Sequence, residues 1–483
     1  MKVIVFALHG CPAGWLGAYG NDWVGTPHLD RLAAEAVTFD RHISDCPEPT
    51  AARRAWLGRP TPPAPLPEGR GESESTSPLG RGVGEGASPS FPLPEGRGGG
   101  LFSILVRANH PDTDGPDWFY AGWGEVFDAR PRPDDASPLD ELLRTFPELL
   151  DRLADVPDFL LWIETDRLIP PWDVQQDVFE AYVKDASDEE DDPSQASEAP
   201  DEDETEDEGA EDEEAEDEEA DERVEWVEEP GADSETADDD TPPAPETVPP
   251  FADPPTGLFD RSDLDAWDWL HHTFAAVITK FDAELGGLFE ELRARGLDRS
   301  AAWVLTSDFG LPLGEHGQIG THRPWLHEEL VHLPLFLRLP GAEQGGRRVP
   351  GFTQPPDVYP TLLALLGAPA PADAAGHNLL PLARGEVRSP REFAATALEL
   401  GAAAEIALRT DDHALLVPTR VPEGDSPREP LLYAKPDDRW EVNDLRPRSI
   451  ERADELEAKL RENIQKIGLA AETPETTQGD MSE

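Results

Sequence analysis

The chain has 483 residues, with 101 Asp and Glu against 40 Lys and Arg, and its formal charge of −61 excludes nucleic acid or an anionic membrane as the main partner. Two cysteines, Cys11 and Cys46, exclude a disulfide-stapled scaffold and a Cys-rich zinc module. About half of the charge is local, because residues 185–240 hold 32 acids and a single base, Arg223.

The first apolar run, VIVFAL, stops at His9 and Gly10, too short for a signal peptide or a membrane span, and no later stretch reaches about 20 apolar residues. The chain therefore reads as cytoplasmic. In chain order, residues 2–8 form a buried strand and Pro27 opens a helix through residue 36. Residues 60–100 are Pro, Gly, Ser, Glu and Arg with PLPEGRG twice, a disordered loop. A strand at 101–106, a helix at 139–153 and a strand at 159–163 follow.

The acidic stretch 185–255 repels itself and lacks apolar side chains, so it reads as a solvated linker, with a basic partner as the alternative. Beyond it come a long helix at 262–295, strands at 302–306 and 335–339, and a helix at 357–366. Short strands at 393–398, 404–409, 414–418 and 431–434 and a helix at 450–464 end the series. This alternation specifies an α/β domain with a mostly parallel central sheet flanked by helices over residues 1–389, interrupted at 60–100 and 185–255. A small C-terminal α+β subdomain takes residues 390–470, and a disordered tail takes 471–483.

Seven segments occur in a familiar order: GAYGN (17–21), TPHLDRLAAEAVTF (26–39), LTSDFGLPLGEHGQIG (305–320), HLPLFLRLPG (332–341), PPDVYPTLLALLG (355–367), HNLLPLARGE (377–386) and LLYAKPDDRWEVNDL (431–445). On these the chain resembles the sulfatase family of the alkaline-phosphatase superfamily. The resemblance implies the alkaline-phosphatase-like fold and sulfuric ester hydrolysis. The family holds a divalent cation, usually calcium, with two N-terminal aspartates and an Asp-His/Asn pair, and oxidises a Cys-x-Pro/Ala-x-x-Arg cysteine to formylglycine.

Residue by residue, this chain departs from that pattern. The two aspartates fall on His9 and Gly10, and Asp308 keeps the third carboxylate beside Phe309. Anchoring the nucleophile segment on Arg54 places Thr50 where the cysteine belongs, and Cys46 has Glu48 and Thr50 at its motif positions, so no formylglycine is expected. In ETDRLIPPWD (164–173) Leu168 or Ile169 replaces a histidine, and in GTH (320–322) Thr321 replaces a lysine while His322 remains.

Thr50 is then either a direct nucleophile or a helix N-cap, and Arg54 an anion holder or a structural ion-pair partner. Asp308 is a residual ligand or a turn cap. His9 with Asp308, His316 and His322 makes a nitrogen-rich set suited to zinc or manganese. His271, His272, Trp267 and Trp269 read as packing, and His327, Glu328 and Glu329 as a scaffold element.

The expectation is a sulfatase-family protein with little or no sulfatase activity. Its catalytic remnants are Thr50, Arg54 and His322, its metal remnants are Asp308 and His9, and the family's divalent cation is either held by these or lost. Two alternatives stand beside it. One is a threonine-dependent sulfo- or phospho-ester hydrolase with a rebuilt metal site, and the other an anion-binding or scaffold protein for a small sulfated or phosphorylated ligand.

Overall fold

The computed structural model describes residues 1–58, 102–110, 117–120, 123–129, 137–190, 248–372, 374–422, 424 and 426–466. The loop expected at 60–100 and the tail expected at 471–483 lie outside the described residues, as does the acidic stretch between 191 and 247. The chain divides into two compact units, residues 1–182 with 250–483 and residues 183–249. The elements below belong to the first, apart from the end of the helix at Gln176–Glu190, which lies in the second.

Chain order begins with β1 (Lys2–Leu8), α1 (Pro27–Glu35), β2 (Val37–Ile43), α2 (Pro49–Trp56), β3 (Phe102–Ala108), α3 (Asp117–Tyr120) and β4 (Glu125–Asp128). It continues with α4 (Pro138–Leu153), β5 (Phe159–Thr165), α5 (Gln176–Glu190), β6 (Gly257–Leu258), α6 (Leu264–Ala294) and α7 (Leu297–Ser300). Then come β7 (Ala301–Ser307), β8 (Gln318–Ile319), α8 (Glu328–Val331), β9 (His332–Leu333), β10 (Leu335–Arg338), β11 (Arg347–Thr353), α9 (Val358–Leu365) and α10 (Leu380–Ala383).

The central sheet runs β11-β2-β10-β7-β1-β5-β3-β4, with β9 also on β2. β1 pairs in parallel with β5 and β7, and β3 with β5 and β4, whereas β10 is antiparallel to both its neighbours. Both faces are covered, as near-continuous apolar strands require. Ile4, Phe6, Ile163 and Trp303 pack against α1, α4 and α6 on one face, and Val3, Val5, Trp162 and Val304 against α2, α3 and α9 on the other.

Helix starts follow their local chemistry. Ser137 accepts the Asp140 N–H at 3.1 Å to open α4, and Asp263 accepts the Ala266 N–H at 3.0 Å to open α6. The 31 residues of α6 bury a full stripe from Leu270 to Leu292.

A second, four-stranded antiparallel sheet joins β12 (Ala394–Leu400), β13 (Ala403–Arg409), β14 (His413–Arg420) and β15 (Leu431–Ala434). Its Ile406, Leu408, Leu415 and Val417 pack on α11 (Ile450–Lys466), and its other face, with Ala407 and Leu416, packs on Leu326, Leu330 and Phe352.

Candidate functional site

Ligands in open α/β sheets bind outside the carboxyl ends of the strands, and here β1, β5 and β7 end side by side. Ala7 is in register with Glu164 and Thr306, so by the two-residue side-chain period His9 and Asp308 project from the same face one row further along. Arg53, on the buried side of α2, descends onto that row.

These four side chains form one buried network. His9 Nδ1 bonds to Asp308 Oδ2, and His9 Nε2 lies 2.9 Å from Glu164 Oε1. Arg53 Nε donates to Glu164 Oε1 at 2.7 Å, its Nη2 donates to the same oxygen, and Nη2 lies 3.2 Å from His9 Nε2. Phe119 of α3 covers the guanidinium, 5.1 Å from ring centre to Cζ.

Burial alone would strip His9 of its proton, but Asp308 and Glu164 reverse the balance and push it up to about 10, so the ring is an imidazolium. Burial likewise works against ionised Glu164, yet Arg53 and His9 hold its carboxyl below the usual range. The two basic and two acidic side chains therefore pack directly against each other in the interior.

A divalent cation does not fit this donor set. Asp308 Oδ1 accepts the Gly10 N–H at 3.3 Å and the Phe309 N–H at 2.8 Å, and both His9 nitrogens face carboxylates. Glu164 Oε2 is the single carboxylate oxygen of the network left without a partner, against the 6–8 oxygens of a calcium shell. Among the described residues no group of three or more His, Cys, Asp or Glu is arranged to hold a metal.

The nitrogen-rich set expected from the sequence is divided. His9 and Asp308 touch each other. His316 bonds through Nδ1 to Glu329 at 2.7 Å and through Nε2 to the Glu441 carbonyl at 3.2 Å, and it stacks on His327 with ring centres 3.6 Å apart. His322 is exposed.

Thr50 is the second residue of α2, where its N–H donates to Glu48 Oε1 at 3.0 Å while the Ala51 N–H donates to Oε2 at 2.8 Å. The anion at this helix start is the chain's own carboxylate. Arg54 lies over the Trp118 ring at 5.1 Å. Cys46 has its thiol pushed up by burial and by Asp45 and Glu48, which leaves it inert.

The residues that complete the network, Arg53 and Glu164, were missed by motif matching. Both carry a local signal. Arg53 sits between Ala52 and Trp56 on the apolar stripe of α2, and Glu164 lies two residues beyond Trp162 on the same face of β5.

A cleft of about 370 Å³ lies above the network, lined mainly by Ile169, Pro170, Leu311, Leu313 and Ile319. Ile169 and Phe309 pack over Gly10, whose positive φ of 69° and lack of a Cβ make room for Ile169. Among the described residues, Asp253 is the one charged residue of the lining, and no Lys or Arg faces the cleft.

Comparison with known proteins agrees with this architecture. Residues 176–368 match the family model Sulfatase. Arylsulfatase K of Canis lupus familiaris is 31% identical over 127 residues, 26% of this chain and 23% of that protein. N-acetylglucosamine-6-O-sulfatase of Bacteroides thetaiotaomicron is 29% identical over 132 residues, 27% and 23% of the two chains. The chain thus spans about a quarter of the length of the curated relatives it matches.

Among solved structures, BT4656 in complex with D-glucosamine-2-N,6-O-disulfate superimposes with a TM-score of 0.61 at 14% identity, covering 96% of this chain and 98% of that one. The phosphonate monoester hydrolase of Agrobacterium radiobacter gives 0.57 at 16% identity, with 96% and 95% covered. The fold is therefore the α/β architecture of the alkaline-phosphatase superfamily. Within it, residues 176–368 match the sulfatase family, and the curated sequences and solved structures this chain resembles include sulfatases.

Proposed function

We propose that this sulfatase-family protein does not hydrolyse sulfuric esters by the metal and formylglycine route, and that it works in the cytoplasm as a non-catalytic, ligand-binding or scaffold protein. One observation carries the reading: the guanidinium of Arg53 and the imidazolium of His9 already occupy Glu164 and Asp308. A hydroxyl nucleophile needs a metal or a base to ionise it, and the carboxylate nearest Thr50 along the chain, Glu48, is spent on two backbone N–H groups. A sulfated or phosphorylated ligand is disfavoured as well, because among the described residues the cleft offers a carboxylate and no cation. Its walls suit an apolar ligand that is neutral or cationic.

The test is turnover of para-nitrophenyl sulfate and para-nitrophenyl phosphate by the purified chain and by Thr50→Ala, with zinc, manganese or calcium added. Rates equal to the protein-free control in every combination are expected. A rate above that control that disappears in Thr50→Ala would establish the threonine-dependent hydrolase instead.

A further inference from the structure

The network at the strand ends has a cation in it already, supplied by α2. We infer that Arg53 is the resident cation of this site, standing where a metal ion would otherwise bridge His9 and Glu164, so that the chain keeps a folded strand-end cluster with no metal and closes the position to one. The inference rests on the reading that this site lacks metal chemistry, and it assigns a residue to the reason.

Three geometric facts lead to it. Arg53 reaches Glu164 Oε1 through two nitrogens and comes within 3.2 Å of His9 Nε2, so it occupies the space between the two groups best able to ligate a metal. Asp308 holds the opposite ring nitrogen of His9, the orienting arrangement that carboxylates give to metal-binding histidines, and so aims Nε2 at Glu164 and Arg53. Glu164 Oε2 is buried without a partner, which leaves a donor that a small ion could take once the guanidinium is gone.

The guanidinium cannot swing away. Phe119 lies over it, and Arg53 is as buried as the groups it binds. An ion pair of this depth is costly to break from one side, since the surviving Glu164 carboxylate keeps only His9 against it. A hydrated divalent ion is the chemistry that restores the balance, and zinc accepts a mixed imidazole and carboxylate set.

Thermal unfolding of the full chain, with chelator or with about 1 mM zinc chloride, reads this out directly, because an ion that binds only the folded state raises the midpoint. Wild type is expected to move by less than about 1 °C in either condition. Arg53→Met is expected to lose about 5 °C or more and to regain several degrees with zinc, a response that a purely structural arginine would not produce. Arg53→Lys keeps a charge and is expected to fall between the two, with no zinc response.

If Arg53→Met does not fold, Arg53→Met with Glu164→Gln removes both members of the ion pair and is expected to recover a cooperative transition. A zinc or chelator response in wild type overturns the inference, as does a folded Arg53→Met that ignores zinc, or a double variant that stays unfolded. A wild-type metal response without ester turnover would sink this inference and leave the proposed function standing. Turnover without a metal response would do the reverse.

Discussion

Glu48 shows how much a single side chain settles here. Its two carboxylate oxygens accept the N–H groups of Thr50 and Ala51, so the first turn of α2 is capped from within and its partial positive charge is neutralised. Glu48→Ala leaves both donors to water and is expected to cost about 1 kcal/mol of unfolding free energy by denaturant titration, with Glu48→Gln recovering part of it. A change below about 0.3 kcal/mol would mean that the cap is not what holds the turn. At this scale the sequence was legible only in part. Thr50 at a helix start, and His9 and Asp308 at strand ends, follow from the family alignment, but anchoring that alignment on Arg54 hid its neighbour. Adjacent helical residues differ by about 100° around the axis, enough to put Arg54 over Trp118 and Arg53 in the interior.

Whole strands were easier to read than single side chains, because alternation over several residues averages out local ambiguity. Residues 404–409 were expected as a strand and β13 spans Ala403–Arg409; the long helix expected at 262–295 is α6, Leu264–Ala294. β11 was not read, since Pro350 removes a ladder donor and the register shifts between Val349 and Phe352. The antiparallel direction of β10 was hidden too, as direction is a property of the connection and leaves no mark in a four-residue run.

Alternation along β13 also has an electrostatic consequence. Glu405 and Arg409 share a face and grip one residue: Glu405 accepts the Leu326 N–H at 2.6 Å, and Arg409 donates to the Leu326 carbonyl at 2.8 Å. Burial raises the Glu405 carboxyl from 4.5 to about 7, outweighing the pull of Arg428. Between those values the unfolded chain releases this proton while the folded chain keeps it, so the contribution to stability is whole below about pH 4.5 and is lost as pH rises to about 7. Glu405→Gln cannot titrate. Relative to wild type its unfolding free energy is expected to fall less steeply across that window, by up to about 1 kcal/mol per pH unit, in denaturant titrations at several pH values. Parallel slopes for the two proteins would show that Glu405 is ionised in the fold.

At the scale of the molecule, charge and core are separate assignments. The family match at residues 176–368 runs straight across the acidic stretch, whose 32 acids within residues 185–240 add charge and almost no apolar surface. The chain that re-enters the first unit is fixed there by contacts among the described residues. The Phe251 N–H donates to Thr273 Oγ1 at 2.9 Å, the Phe251 ring stacks on Trp269 at 4.6 Å, and the Trp172 N–H donates to the Ala252 carbonyl at 2.7 Å. Every one of these contacts lies on residues that packing against α6 already orders. Replacing residues 191–247 with a Gly/Ser linker of about 20 residues, which reaches roughly 25 Å, is therefore expected to preserve the far-ultraviolet circular dichroism and the cooperative melt. It is also expected to flatten the salt dependence of the melting midpoint, because about half of the −61 charge is removed and with it the self-repulsion that salt screens. A variant that loses its cooperative melt would assign the acidic stretch a part in the fold. One that melts normally with an unchanged salt dependence would place the effective repulsion on the first unit's own surface.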